Sequence, residues 1–214
     1  MDLTAEILAT TVPEPAVEAA ASNVTLGIDG AAAVSGLQAV PSGTGSVCVN
    51  FDYEGIPEGA SYNGYWKVNG ELSEVQSVIN GTWALDPAGS AYFCSTEGVL
   101  LDDGVHEFAL SVGAGDDERF LVTESFFVGG NHPPLVLTVD NQMDREVCTV
   151  QAVPTGTEWW GPDRIPEFRI PAGTSNTVAL VAGEVDLRVA DCEDNDMFTS
   201  TEVLEGDATL TLAP

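Results

Sequence analysis

A chain of 214 residues, 44% of them apolar, can bury the core of one large domain or two small ones, which excludes global disorder. Its 34 acidic residues against six basic ones leave a net charge of −28, with Lys67 the only lysine. Such a chain repels phosphate backbones and anionic lipid surfaces, so nucleic-acid binding and direct membrane insertion are excluded as functions. No apolar run is long enough to cross a membrane as a helix. Charge of this size calls for screening by counterions or bound cations. The composition fits a secreted protein from an acidic proteome, with a salt-adapted source or genuine cation binding as the alternatives.

The elements are expected in the following order. The opening "MDLTAEILATTVPEPAVEAAASN" has no basic n-region and no continuous apolar core. It does not read as a signal peptide, and an exported chain would have lost its signal before this point. Residues 1–22 read as an N-terminal linker, in which "TAEILATTV" could form one loose strand. Short runs rich in β-branched and aromatic residues follow: "SVCVNFDY", "SYNGYWKV", "AYFC", "HEFALSV", "RFLVTESFFV", "LVLTVDN", "EVCTVQAV", "NTVALV", "VDLRVA" and "ATLTLA". Turn chemistry separates them, at "NG" 69–70, "DDG" 102–104, "GAGDD" 113–117, "PAG" 171–173 and "EGD" 205–207. No helix of three turns is expected. "GGNHPP", residues 129–134, reads as an extended, weakly structured connector. The expectation is an all-β chain of two tandem Ig-like β-sandwich domains, 23–130 and 131–214, the second small and carrying an internal disulfide, and each able to fold alone.

The four cysteines repeat a spacing. Cys48 and Cys94 lie 46 positions apart, and Cys148 and Cys192 lie 44 apart. Four cysteines allow three connectivities; the repeat favours Cys48–Cys94 and Cys148–Cys192, one bridge per half. Closing a loop of roughly 45 residues would stabilise each half by about 4 kcal/mol in the chain-entropy model. Such bridges persist only in oxidising compartments, which points to an extracellular or cell-surface location.

In the first half Cys48, Trp66 and Cys94 follow the order cysteine, tryptophan, cysteine, with Tyr92 two residues before the second cysteine as in a tyrosine corner. Trp66 would then pack over the bridge. The pair "HEFALSV" and "RFLVTESFFV" resembles the final hairpin of prokaryotic immunoglobulin-like modules. In the second half, "TVDNQ", "VCTVQAVPTG", "EWWGPDRI" and "FRIPAGTSNTVALVAGEVDLRVADCEDN" together resemble a small secreted bacterial β-module over residues 138–195. The resemblance marks Trp160, Gly161, Asp163, Gly173, Gly183, Asp186, Arg188 and Asp191 as pattern positions, with Cys148 and Cys192 as the bridge. Val185 departs from it, standing where the pattern has an aromatic. The resemblance implies an extracytoplasmic accessory module and no catalytic activity.

Three sets of residues are candidates for function. Asp191, Glu193, Asp194 and Asp196 crowd "ADCEDND" and offer hard oxygen ligands to calcium, although neither the helices nor the glycine of an EF-hand is present. The alternative is a disulfide-anchored acidic turn whose charge Arg188 neutralises in part. Trp159 and Trp160, beside Gly161-Pro162, and Trp83 in "NGTWALDPAG" could stack on sugar rings or fill a partner's pocket, or else belong to the core. Catalytic signatures are missing: there is no G-x-S-x-G, H-E-x-x-H, P-loop or Rossmann fingerprint, and no cysteine–histidine zinc pattern, so neither an enzyme nor a cofactor is expected. The sequence thus points to a non-catalytic extracellular binding or adhesion segment with a protein or glycan partner at the cell surface, a carbohydrate-binding module being its narrower variant. The alternative is a self-associating structural subunit of a surface filament or layer, in which residues 3–12 donate a strand to a neighbour's open edge.

Overall fold

The computed structural model describes residues 18–28, 38–96 and 99–214. These residues are all-β, with fifteen strands and one 3-10 turn at 115–117. The first set of strands is β1 (Ala20–Ile28), β2 (Ala39–Val40), β3 (Val47–Glu54), β4 (Ser61–Val68), β5 (Glu71–Leu72), β6 (Val78–Thr82), β7 (Ala88–Cys94), β8 (Gly104–Val112) and β9 (Arg119–Val128). The second is β10 (Pro134–Asn141), β11 (Thr149–Pro154), β12 (Thr174–Val181), β13 (Gly183–Ala190), β14 (Asp196–Leu204) and β15 (Ala208–Leu212).

Side chains alternate across a strand, and that period decides what each one buries. On β3, Val47, Val49, Phe51 and Tyr53 face the core while Cys48, Asn50 and Asp52 face outward. A three-stranded sheet, β1-β3-β7, closes over a larger one ordered β2-β9-β8-β4-β5, with β6 also paired to β4. Their shared core gathers Leu26, Val49 and Phe51 from the small sheet with Trp66, Phe108 and Phe126 from the large one. Burial of each such side chain contributes about 2 kcal/mol. The β4–β5 connection uses Asn69 and Gly70, both at positive φ (51° and 80°), the primed turn that "NG" requires. In the second set, the sheets β12-β10-β15 and β11-β13-β14 enclose a second core that includes Leu137, Val150, Ile170, Val178 and Leu187. Both sets are β-sandwiches.

Both bridges form, Cys48–Cys94 and Cys148–Cys192, and no described cysteine is free. The first differs from the immunoglobulin arrangement. Cys48 lies directly opposite Cys94 in the β3–β7 ladder, so the bridge joins neighbouring strands of one sheet on its outward face. Trp66 is fully buried in the other sheet, edge-to-face with Phe108 and Phe126. Alternation therefore separates the tryptophan from the bridge. Tyr92 is 69% exposed on β7 and forms no corner, because β7 is the outermost strand of its sheet.

The connector is fastened rather than loose. The Gly129 N–H donates to the Val40 carbonyl, the Ala182 N–H donates to the Pro133 carbonyl, and His132 Nδ1 is 2.7 Å from the Ala182 carbonyl. The His132 ring stacks on Phe127 at 4.1 Å between centroids. Gly183 closes the stack: a Cβ there would meet Phe127 at 2.9 Å, and its φ of +153° excludes most side chains. Phe127, though on β9, belongs to the second core. β1 begins at Ala20, inside the segment expected as linker, and "TAEILATTV" lies outside the described residues.

Candidate functional site

The large sheet of the first sandwich presents an outer face that the second half covers. Along β8, Glu107, Ala109 and Ser111 point to this face, and all three are buried. Residues 157–164, between β11 and β12, lie over it. The Glu158 N–H donates to Glu107 Oε1, and the Glu158 carboxylate pairs with Lys67 on β4. Trp159 then spreads over the same face, with ring centroids 5.5 Å from Phe120 and 6.5 Å from Tyr65 and the Lys67 Nζ 4.4 Å from its ring. The Thr123 hydroxyl donates to the Trp160 carbonyl at 2.8 Å, which fixes the segment along β9.

This junction is electrostatically tuned. Burial pushes the Glu107 carboxyl up, against the pull of Lys67, and its Oε2 has no hydrogen-bond partner. Glu124 on β9 is completely enclosed, and burial pushes its carboxyl to about 7, with the Arg164 guanidinium as the opposing charge. Beside them Glu118 accepts from Ser111, Tyr65 and Asn63, and these donors hold its carboxyl below the usual range. Deeper in the core, Trp66 Nε1 donates to His106 Nδ1 at 3.0 Å, so His106 Nε2 carries the proton and donates to the Asp102 carbonyl at 2.8 Å. Burial pushes this imidazole down and keeps it neutral.

The acidic stretch does not assemble four carboxylates around one point. Asp191 is 3% exposed and points inward. Its oxygens accept from the Glu193 and Asn195 N–H groups, the Asn195 amide and Arg145 Nη1. These donors, the Asn195 backbone first, hold the carboxyl below the usual range. Arg188 takes both other aspartates, with Nη2 to Asp194 at 2.7 Å and Nε to Asp196 at 2.6 Å, while Glu193 remains exposed. Asp194 sits at φ +62°, the left-handed turn that lets β13 return as β14. Guanidinium groups thus meet three of the four carboxylates offered as calcium ligands, as the alternative of an arginine-neutralised acidic turn describes. Among the described residues one cluster, Glu146 with Cys148 and Cys192, has metal-ligand spacing, but both sulfurs are in a disulfide and neither is a thiolate ligand.

Two of the three aromatic candidates pack against other rings. Trp83 is buried against Tyr53 and Tyr62 at 4.9 and 5.7 Å between centroids, so it is core rather than a sugar platform. Trp159 and Trp160 are half-buried at the junction. The cleft beside them holds about 140 Å³, below the roughly 300–1,000 Å³ of a ligand pocket. Among the pattern positions, Asp163 Oδ1 accepts from the Val150 and Ile165 N–H groups, and the Gly161 carbonyl accepts from Gln151. Asp186 accepts from Thr201, and Arg188 adds Gln151 to its two aspartates. These residues hold the second sandwich and its cover segment together. Sequence reading missed the partners on the first half, Lys67 and Glu107, and the shifted carboxylates beside them, Glu118 and Glu124. The signal at Lys67 and Glu107 was a sole lysine and a glutamate that alternation alone assigns to a solvated face, whereas Glu124, opposite Phe108, interrupts the apolar row of Val122 and Phe126.

No protein-family profile matches the chain, and no curated protein matches it. Two solved structures align over most of it at 10% identity. One is a variant of the major pilin subunit of Bacillus cereus, with 92% of this chain and 70% of that one aligned at a TM-score of 0.27. The other is red sea bream transglutaminase, with 89% of this chain aligned at a TM-score of 0.30 and only 31% of that enzyme covered. Both superpositions are too loose to carry an argument about this chain.

Proposed function

We propose that this chain is a non-catalytic extracellular binding or adhesion segment of a secreted or cell-surface protein, built to hold two β-sandwiches in one fixed relation. The carrying observation is that every described cysteine is bridged within its own sandwich, the first bridge tying β3 to β7 and the second tying the residue before β11 to the turn after β13. Such bonds persist where the surroundings are oxidising. The junction supports the rigid relation, because Glu158, Trp159 and Trp160 lie across β4, β8 and β9. Binding then falls first to exposed surface, since Trp83 is buried; the carbohydrate-binding variant would rest on the half-buried Trp159 and Trp160. The subunit reading draws on a different feature, the outer edge of β7, which pairs with no strand among the described residues.

The test uses protein taken from its native host without reduction. Alkylation followed by intact mass is expected to find no free thiol, and protease treatment of intact cells is expected to remove the protein. Four alkylatable thiols, or full protection by intact cells, would overturn the extracellular assignment.

A further inference from the structure

Among the described residues, β7 pairs only with β3, so its second edge carries unpaired backbone groups. Natural sheets blunt such edges with a charge, a proline, a bulge or a very short strand. β7 has none of these. Its seven residues keep unbroken register with β3, from Ala88 opposite Glu54 to Cys94 opposite Cys48. From Val75 to Thr96, Asp86 is the only charged residue, in a chain with 34 acids. The surroundings are apolar and open: Tyr92 is 69% exposed, Val75 68% and Leu85 46%. A groove of about 260 Å³ runs beside the strand, with Trp83 and Phe93 in its walls.

We infer that β7 is a docking edge for a second copy of this chain, which adds antiparallel to the same strand about a two-fold axis at Ala91. The strand is complementary to itself in size. Its first half is small (Ala88, Gly89, Ser90) and its second half is large (Tyr92, Phe93 and the bridged Cys94). Pairing about Ala91 sets Tyr92 opposite the partner's Ser90, Phe93 opposite the partner's Gly89 and Cys94 opposite the partner's Ala88. Large meets small at each step, as cross-strand packing favours. A two-fold contact closes on itself and yields a dimer without further growth. Charge disfavours most other contacts, because two bodies of −28 repel wherever acidic faces meet. The carboxylate hydrogen-bonded to β7 is Asp52, already held by the Ser90 hydroxyl, and the equally uncharged outer strand β12 is met at Val181 by Gln38. The remaining long-range repulsion is screened beyond about 3 Å at 1 M salt and about 10 Å at 0.1 M. Association therefore strengthens with salt. This inference goes beyond the extracellular reading and does not depend on it.

Sedimentation equilibrium of the whole chain tests it, at micromolar concentration in low and in molar sodium chloride. The expected result is a monomer in low salt and a dimer in molar salt. Tyr92→Asp, at an exposed site, is expected to weaken the dimer by at least about tenfold. Val203→Asp, which adds the same charge at a 67%-exposed position on β14, should leave it unchanged. Hydrogen exchange on the unaltered protein gives a second readout: β7 amides should slow in molar salt while those of β12 do not. A chain that stays monomeric in molar salt would overturn the inference. So would a dimer indifferent to Tyr92→Asp, a dimer broken equally by Val203→Asp, or open-ended polymers.

Discussion

Glu124 and Asp191 are both buried carboxylates, yet they titrate in opposite directions because Asp191 has several donors and Glu124 only one. Asp191 accepts two backbone N–H groups, an amide and a guanidinium, whereas Glu124 has one local backbone N–H and the Arg164 charge. A carboxyl held near 7 when folded, against 4.5 when unfolded, binds its proton more tightly in the native state. Stability from it is complete in acid and is lost as pH rises from about 4.5 to about 7, by an upper bound of roughly 3 kcal/mol. Glu124→Gln should therefore raise the melting temperature at pH 8 and do little at pH 4.5, and an effect equal at both values would show that the carboxyl is not protonated inside. Asp191 has the contrary sign, since its lowered carboxyl stabilises above its ordinary range and loses that contribution in acid. Asp191→Ala should lower the melting temperature at neutral pH by leaving the Glu193 and Asn195 donors without their acceptor, while the half-exposed Arg145 turns to solvent. Calcium at millimolar concentration should give no melting shift beyond a sodium control of equal ionic strength, because Arg188 already holds Asp194 and Asp196. A calcium-specific shift abolished by Asp194→Asn with Asp196→Asn would restore the cation site.

At the scale of elements, the in-sheet bridge sets a limit on what Cys48 and Cys94 can do for the fold. They lie on the outward face of β3 and β7, so replacing both with serine removes a cross-link without opening a cavity. The expected loss is about 4 kcal/mol in the chain-entropy model, with the β-signature of circular dichroism retained. A collapsed spectrum would mean that β7 has no hold on the sheet apart from its bond. The same strands show what the sequence could tell. β3, β4 and β8 were legible because apolar residues alternate there, β9 because it is rich in Phe and Val, and the Asn69-Gly70 turn because only a primed turn suits that pair. β1 and β14 were not. Asn23 at φ 52° puts a bulge into β1, and acidic and hydroxyl residues mask the alternation of β14. The order cysteine, tryptophan, cysteine was visible but misleading, because composition does not say which face of a strand a cysteine takes. The junction was illegible for a related reason: Glu107 reads as solvent-facing until residues 157–164 are laid over it.

For the whole molecule, the competing terms are a junction that joins the two sandwiches and a charge that pushes all parts away. Lys67 is the hinge of that balance, since it meets Glu158, faces Trp159 and opposes the buried Glu107. The aromatic and cation–π contacts of Trp159 amount to about 2 kcal/mol together. Trp159→Ala with Glu158→Ala should therefore split one calorimetric transition into two, and an unchanged single transition would place the coupling elsewhere, at Phe127 and His132. Repulsion acts over the whole surface. With 34 acids and six bases, low salt leaves uncompensated charge within a Debye length throughout, and compact folding concentrates it. Raising sodium chloride to molar levels should raise the melting temperature steadily. Potassium should match sodium, because screening depends on ionic strength and not on the ion's fit to a site. The Lys67–Glu158 pair runs the other way, as salt weakens an exposed bridge of at most about 1 kcal/mol. The general term outweighs it, because one pair opposes a net excess of 28 charges. Melting curves that fall with salt would mean that ion pairs, rather than packing and bridges, hold the two sandwiches against their own charge.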